Sequence, residues 1–413
     1  MNILFDSIMI LFWIILIFYS ILTVAGVWFR VTFKEANKLA YYPSVAVLIP
    51  AYNEGIVMSY TLRAMARLRY PGKLNIYVLN DHSTDNTGEI ADEFAKLFSH
   101  IHHIRVPTGE PKGKSRVLNY GLSISESDYF MIYDADNEPE PDALVKLIEQ
   151  AEVTPNAAGA VGYVKTKNSE VNALTRMISL EFQVFQLLMQ CGRWALFKLG
   201  SLAGTNMLLK RSIIEEVGGY DPYALAEDAE LTVRITALGY LIPVVPTSKT
   251  WEQEPEKLST YFKQRTRWFI GNIYLLEKSL LSKDYWKGRT LFLSLQHVMT
   301  YSVFVVLLLV SDIFFVLSIL GMMTMYKSVA PLLILWFMSY IVYTMQLLSA
   351  LAVDRNITFI NVCFIIIMYF TYAQLFLIKL IRSFVIYTRN KIKKQTIEWE
   401  KTARFDRDDN SSP

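Results

Sequence analysis

Tyr129-Phe130-Met131-Ile132-Tyr133-Asp134-Ala135-Asp136-Asn137-Glu138-Pro139-Glu140-Pro141 holds the transition around which the chain is organised. An apolar run, Tyr129 to Tyr133, stops at two carboxylates one residue apart. A short apolar run bounded by turn residues reads as a buried strand. Residues i and i+2 of an extended chain point to one side, so Asp134 and Asp136 are expected to face one ligand. Hard divalent cations such as Mg²⁺ or Mn²⁺ take oxygen ligands and usually bind substrate phosphates as well. Taken alone, such a pair is more often a solvated acidic turn, so its meaning rests on what surrounds it.

The surroundings repeat the pattern. Between Pro43 and Trp251 short β-rich runs (Val45–Ile49, Ile76–Leu79, His102–Val106, Tyr129–Tyr133, Ala158–Val164) alternate with stretches of helical apolar spacing (Ile56–Leu68, Thr87–Phe98, Lys114–Ser123, Pro141–Thr154). This alternation predicts an α/β domain with a mostly parallel sheet covered on both faces. Ligands of such sheets bind beyond the carboxyl ends of the strands. The polar clusters fall there: Tyr52-Asn53-Glu54 after the first run, Asp81-His82-Ser83-Thr84-Asp85 after the second, and Asp134 to Asp136 after the fourth. Three acidic strand ends converging by chance is far less probable than one.

The rest of the chain points to a membrane. Of 413 residues, 53% are hydrophobic, and the net charge of +3 gives no reason to expect a nucleic-acid partner. Ile8 to Phe29 is long enough to cross a bilayer, which takes about 20 residues. No Lys or Arg precedes it, whereas Arg30, Lys34 and Lys38 follow, so an uncleaved anchor with the following domain in the cytoplasm is expected. Later apolar blocks, Leu291–Met325, Ala330–Val353 and Ile357–Tyr387, are each long enough to span, with very short connections at Tyr326–Val329 and Asp354–Asn356. The amphipathic, aromatic-rich stretches Val171–Trp194 and Leu258–Leu281 are expected at the membrane surface. The expected division is an anchor over 1–32, a catalytic unit over 43–285, about three spans over 291–388, and a tail over 389–413. Its basic part carries Arg389, Lys391, Lys393 and Lys394, and Asp408–Pro413 is expected to be disordered. One anchor plus three spans leaves that tail outside, while its charge argues for the inside. Cys191 and Cys363, far apart, suggest neither a disulfide nor a metal site.

Four further segments carry chemistry. Gly113-Lys114-Ser115-Arg116 opens a helix, and a helix N-terminus with added cations suits phosphate, although the P-loop spacing is absent. Gly204-Thr205-Asn206 is either a close approach for a sugar or a simple turn. Glu227 and Asp228 begin a helix, where acids are often only dipole complements; the functional reading makes Asp228 a general base. Gln264, Arg267 and Trp268 share a helical face, with Arg suited to clamp a diphosphate and Trp to stack on a sugar ring. A basic, Trp-bearing interfacial helix would look the same.

Pro50-Ala51-Tyr52-Asn53-Glu54, Asn80-Asp81-His82-Ser83-Thr84-Asp85, Asp134-Ala135-Asp136, Glu227-Asp228 and Gln264-Arg265-Thr266-Arg267-Trp268 stand in the order seen in processive family 2 glycosyltransferases. The chain resembles the bacterial poly-β-1,6-N-acetylglucosamine synthases most closely and is similar to chitin-oligosaccharide, hyaluronan and cellulose synthases. The resemblance covers nearly the whole chain; its motifs are specific for the superfamily and do not name the sugar. It implies a GT-A-like catalytic domain joined to an α-helical membrane region, in a multi-pass protein of the plasma membrane with its catalytic domain in the cytoplasm. The implied reaction polymerises a sugar from a UDP-sugar onto a growing polysaccharide acceptor and aids its passage across the lipid bilayer, with room for a small accessory membrane subunit. Asp81 would contact the uridine with Glu54 in the same pocket, and Lys114 would lie near the nucleotide. Asp134 would lie at the nucleotide-sugar and Asp136 would ligate Mg²⁺ or Mn²⁺. Asp228 would be the base; Gln264 and Arg267 would hold the diphosphate, and Trp268 would stack near the acceptor. The usual threonine before Glu227 is Ala226 here, and neither the cellulose-synthase gating motif nor an appended regulatory domain is evident. Two rival readings are a non-processive membrane transferase charging a lipid carrier and a non-catalytic nucleotide-binding scaffold or transport component.

Overall fold

A computed structural model describes residues 2–320, 329–393 and 405. The connection expected from Tyr326, Lys394 and the end Asp408–Pro413 lie outside the described residues. Helix α1 (Asn2–Thr32) leads into β1 (Val45–Ala51), α2 (Gly55–Met65), β2 (Leu74–Asn80), α3 (Thr87–Leu97), β3 (Ile101–Arg105), α4 (Lys114–Ile124), β4 (Tyr129–Ile132), β5 (Glu138–Pro139), α5 (Ala143–Val153) and β6 (Gly159–Thr166). Then come α6 (Ala173–Phe185), a π-helical turn (Gln186–Gly192), α7 (Arg193–Phe197), β7 (Met207–Lys210), α8 (Arg211–Glu216), α9 (Glu227–Ala237), β8 (Val244–Glu252) and α10 (Leu258–Leu281). The last part holds α11 (Thr290–Val298), a second π-helical turn (Met299–Val303), α12 (Phe304–Ile319), α13 (Val329–Val353), α14 (Phe359–Met368) and α15 (Leu375–Ile392).

The strands form one sheet in the order β3-β2-β1-β4-β7-β6-β8-β5. β1 pairs in parallel with β2 and β4, β2 with β3, and β6 with β8, while β7 runs antiparallel between β4 and β6. The sheet is mostly parallel, as expected. Side chains alternate between two cores: Val45, Val47 and Ile49 pack with Met58, Leu62 and Leu147, and Ala46 and Leu48 pack with Leu118, Phe130 and Leu231. A strand buried on both faces reads as a continuous apolar run, which is why β1 and β4 were legible. Each fully buried Val, Leu or Ile contributes roughly 1.5–3 kcal/mol.

β7 and β8 escaped the sequence reading. β7 is four residues long, and β8 contains Pro246, Thr247, Ser248, Lys249 and Thr250. Ser248 is tolerated inside because its hydroxyl donates to the Ala143 carbonyl at 2.9 Å.

Helices α6 and α10 lie between the sheet domain and the apolar helices. Ile178 and Leu180 of α6 and Tyr261 of α10 share a core with Leu347 and Leu351 of α13 and Ile365 and Met368 of α14. α1 crosses the first π-helical turn closely: a Cβ on Gly26 would lie 2.3 Å from the Leu187 carbonyl oxygen. Small residues at such crossings let backbones approach.

Among the described residues three stretches are long and apolar enough to cross a membrane: Asp6–Thr32, Thr290–Val310 and Leu333–Val353. The block Ile357–Tyr387, read as one span, is instead divided at residues 369–374 into ten-residue α14 and the mixed α15. The inner face of α15 is polar: Lys379 donates to the Tyr261 hydroxyl at 2.6 Å, and Ser383 is fully buried. Beyond it, Tyr387 and Lys391 bind Glu277 of α10 at 2.6 and 2.5 Å. The start of the basic tail therefore lies against α10.

Candidate active site

β1 has β2 on one side and β4 on the other, so a crevice opens at their carboxyl ends. Polar loops meet there. Asn53 takes a left-handed conformation (φ 54°) and accepts from the Thr84 N–H at 2.7 Å, while its own N–H donates to the Ser83 hydroxyl at 2.9 Å. Asp85 accepts from the N–H groups of Gly55 (2.9 Å) and Thr87 (3.0 Å). Most of the Asp81–Asp85 cluster thus satisfies loop backbone. Asp81 and buried Glu54 line the cavity.

Asp134 and Asp136 line the same cavity, through a different geometry from the one expected. β4 ends at Ile132, and Asn137 N–H donates to the Asp134 carbonyl at 3.1 Å, so the two carboxylates sit in a turn and not on an extended strand. The turn is pinned from three sides. Thr205 accepts from the Asp134 N–H at 3.2 Å and donates to Asn137, Asn137 donates to Glu252 at 3.1 Å, and Thr61 donates to the Ala135 carbonyl at 2.7 Å. Burial raises the Glu252 carboxyl well above its usual range, with Glu254, Asp136 and Asp134 adding to the effect. Acidic side chains thus gather at this corner of the crevice, and Glu252 among them is held toward its protonated form.

Lys114 joins the parts. Its ammonium group donates to Asp134 Oδ1 at 2.6 Å and to the Gly204 carbonyl at 2.8 Å, and it lies 3.3 Å from Glu227 Oε1. Burial alone would pull its pKa down; Asp134 and Glu227 outweigh that and raise it. Gly204 turns the loop at φ 75°, where a side chain is strained, and brings its backbone close to both Lys114 and Asp228.

Asp228 stands on the first turn of α9. No side chain caps that helix at Ala226, and the Asp228 carboxylate accepts from the adjacent Ala229 N–H at 2.8 Å. It is partly open to the cavity and enclosed on its other sides. Burial, then the neighbouring Glu227 charge, push its pKa up to about 7 against the pull of Ala229 N–H and Lys114. Glu227 is thus engaged by a cation while Asp228 titrates near neutrality.

Gln264, Arg267 and Trp268 of α10 all border the cavity. Gln264 Oε1 is buried without a donor among the described residues. Arg265, which the motif leaves unspecified, pairs with Glu181 at 2.5 Å and places its guanidinium 4.1 Å from the centre of the Trp268 ring. One face of Trp268 is therefore already covered.

Glu54, Asp81, Lys114, Asp134, Asp136, Asp228, Gln264, Arg267 and Trp268 all border this one cavity of about 1190 Å³. It continues past Trp268 to Asn272, His297, Thr300, Tyr301 and Phe376 among the apolar helices. Both π-helical turns contribute to its wall, through Met189 and Gln190 and through Thr300 and Tyr301. These residues carry no local signature and were not anticipated. Glu252 had one: Glu252-Gln253-Glu254 ends a strand in acids, as Asp134 to Asp136 do.

Compared with known proteins, residues 43–271 match the family described as "Glycosyltransferase like family 2". The chain is 36% identical over 98% of both lengths to "Probable glycosyltransferase YdaM" of Bacillus subtilis (strain 168). It is 28% identical to a "Poly-beta-1,6-N-acetyl-D-glucosamine synthase" of Staphylococcus epidermidis over 65% of each chain, so just under two thirds of that relative is matched. Among solved structures, the mannosyltransferase PcManGT of Pyrobaculum calidifontis, in complex with GDP-Man and Mn²⁺, superposes with a TM-score of 0.58 at 17% identity, over 94% of this chain and 99% of that one.

Proposed function

The chain belongs to glycosyltransferase-like family 2, and on that premise we propose that it is an inverting, processive membrane enzyme that builds a β-linked polysaccharide from a UDP-sugar, with N-acetylglucosamine the first sugar to test. One observation carries this reading: a single cavity runs from Asp81 past Asp228 and Trp268 to Thr300, Tyr301 and Phe376 among the apolar helices. A transferase acting on a small soluble acceptor has no use for that extension. The sugar rests on the poly-N-acetylglucosamine synthase relative alone.

Asp228 takes the proton of the acceptor hydroxyl as its oxygen attacks the anomeric carbon. The bond to the diphosphate breaks on the opposite face, UDP departs, and an α-linked donor becomes a β-linked product in one displacement. Arg267 and Lys114 hold the diphosphate, Lys114 exchanging its carboxylate contacts for phosphate oxygens. Gln264 Oε1 offers an acceptor to a donor or acceptor hydroxyl. The crowding of Asp134, Asp136 and Glu252 fits a divalent cation. Asp136, with Asp134, would hold it, the donor's phosphates and water completing the shell, since among the described residues no three acidic, His or Cys side chains form a cage. Such an ion, when bound, supplies charge neutralisation for the departing diphosphate.

The catalytic unit faces the cytoplasm, where nucleotide sugars are, and the N-terminus lies outside. In this reading three crossings, by α1, by α11 with the start of α12, and by α13, return the tail to the catalytic side, in agreement with its charge. Supporting this, the Arg30 end of α1 and the Asp354 end of α13 meet in an ion pair at 2.7 Å, beside Lys165 of β6.

The test is to supply purified full-length protein in proteoliposomes with single labelled UDP-sugars and Mg²⁺ or Mn²⁺. Long polymer from one donor is the expected result. A short lipid-linked sugar would identify a carrier-charging enzyme instead, and no incorporation from any donor would discard the catalytic reading.

A further inference from the structure

Past Trp268 the cavity wall carries a cation that no acid answers. Arg193 opens α7, is 8% exposed and borders the cavity. Its Nε donates to the Met189 carbonyl at 2.5 Å, Nη1 to Gln296 Oε1 at 3.1 Å and Nη2 to the Ser201 hydroxyl at 2.5 Å. These acceptors are neutral, and a guanidinium has five N–H groups, so two are left over. Lys114 and Arg265, elsewhere in the same wall, touch carboxylates at 2.6 and 2.5 Å. Among the described residues Arg193 has no such partner, and burial pulls its pKa down to about 10. A buried charge is costly unless something compensates it.

Its depth adds to that cost. The adjacent Gly192 is pressed against α1, where a Cβ would lie 2.5 Å from the Leu22 carbonyl oxygen. Leu22 is ten residues before the end of α1, about 15 Å along the helix. Arg193 therefore stands beside the middle of a helix read above as a membrane crossing, and its partner Gln296 belongs to α11, read as part of the second. Ionisable groups at membrane depth face cavities and mark the path of a substrate. From there aromatic rings lead to a second cation. His297 lies 5.7 Å from the Tyr301 ring, Tyr301 meets Phe269 at 5.9 Å, and Lys379 Nζ stands 5.8 Å from the Phe269 centre. Lys379 is 3% exposed and borders the cavity. The acid that acts on it, Glu181, is already held by Arg265 and by the Tyr372 hydroxyl. This half of the cavity is positive, where the nucleotide half gathers acids.

We propose that Arg193, supported by Lys379, forms an anion-binding subsite on the membrane side of Trp268, which takes a phosphate or carboxylate carried by the acceptor. The oxyanion supplies the counter-charge that Arg193 lacks and accepts from its two remaining N–H groups. The rings between the cations offer flat apolar faces to the sugar units alongside. The acceptor is then not neutral: it is a glycan with acidic units or a chain begun on a lipid phosphate. The subsite rests on the polymerising reading above, which brings the acceptor into this part of the cavity.

The alternative is that Arg193 only ties the π-helical turn to Ser201 and α11. Equilibrium binding of labelled probes to the full-length protein, in nanodiscs of neutral lipid and without donor, separates the two. The probes are oligogalacturonate against a chitin oligosaccharide of equal length, and farnesyl phosphate against farnesol. In at least one pair the wild type should bind the acidic member roughly 10- to 100-fold more tightly, the worth of a charge-assisted contact. Preference in the glycan pair identifies an acidic polymer, and preference in the lipid pair a lipid-phosphate start; either supports the subsite. Arg193→Gln should erase the preference and spare the neutral probe, and Lys379→Gln should reduce it. Should Arg193→Gln melt early, Arg193→Lys decides: it keeps the charge and loses the fork, and should weaken only the acidic probe. No preference in either pair, a preference that survives Arg193→Gln, or equal weakening of charged and neutral probes would overturn the proposal. Polymer formation from UDP-sugars is scored separately, and its absence overturns the polymerising reading instead.

Discussion

Replacing Asp228 by Asn removes the basicity and keeps the shape, and two measurements on it separate catalysis from helix capping. In the free enzyme Asp228 titrates at about 7, chiefly because it is buried and then because Glu227 is adjacent. A group titrating there is roughly one-tenth ionised at pH 6 and nine-tenths at pH 8, so kcat/KM of the wild type should climb about tenfold between them, since this ratio reports the free enzyme. An unperturbed carboxylate would give a flat profile over the same interval. Asp228→Asn should lower turnover by about 10²–10⁴-fold and abolish the slope. Stability moves the other way. The folded-state pKa lies above the unfolded value, so Asp228 stabilises the fold least once pH has risen through about 7. Asp228→Asn should therefore melt no lower than the wild type at pH 8, with any advantage shrinking toward pH 4. An acid that only complements the helix dipole predicts the reverse, a loss of about 0.3–1 kcal/mol. Initial rates of UDP release at low donor concentration and thermal melts at pH 5, 6, 7 and 8 supply both readouts. A flat wild-type profile, or a variant that is clearly less stable at pH 8 and loses UDP affinity, would refute the general-base assignment.

Asp136→Ala should abolish polymer formation and leave UDP binding insensitive to added Mg²⁺ or Mn²⁺; retained activity, or wild-type turnover in excess chelator, rules out a metal role. Asp354 is 1% exposed between Arg30 and Lys165, so Asp354→Ala strands two cations and should destabilise the joint between α1, α13 and the sheet by about 3–5 kcal/mol. Limited proteolysis of the detergent-solubilised protein checks this, and an unchanged digestion pattern contradicts it. A reporter fused to the C-terminus should read out as cytoplasmic; an external reading would require a fourth crossing.

Local chemistry made a large part of this protein legible from its sequence. Strands buried on both faces are continuous apolar runs, and the acidic turns after β1, β2 and β4 lie where a parallel sheet binds ligands, so the sheet's parallel half and the convergence of Glu54, Asp81, Asp134 and Asp136 on one cavity could be read off the chain. The helical spacing of Gln264, Arg267 and Trp268 likewise placed them together on the face of α10 that borders the cavity. What depends on distant partners could not be read. β8 is rich in polar residues that are stable inside only because of bonds such as Ser248 to Ala143, and β7 is a strand because β4 and β6 flank it. Asp134 and Asp136 looked like one side of an extended strand, and only Thr205, Asn137 and Thr61 bend them into a turn. Hydropathy made Ile357–Tyr387 one span, because it counts apolar residues and cannot see that Lys379, Ser383 and Tyr387 are matched by the Tyr261 hydroxyl, the Thr266 carbonyl and Glu277 on α10. Arg116 read as one more helix-start cation until the fold set it against Asp81, and the cavity's course from Trp268 to Tyr301 exists only because α10 and α11 are packed together. Burial patterns are written along the chain; the identity of a polar side chain's partner is decided by which segments the fold brings within about 3 Å.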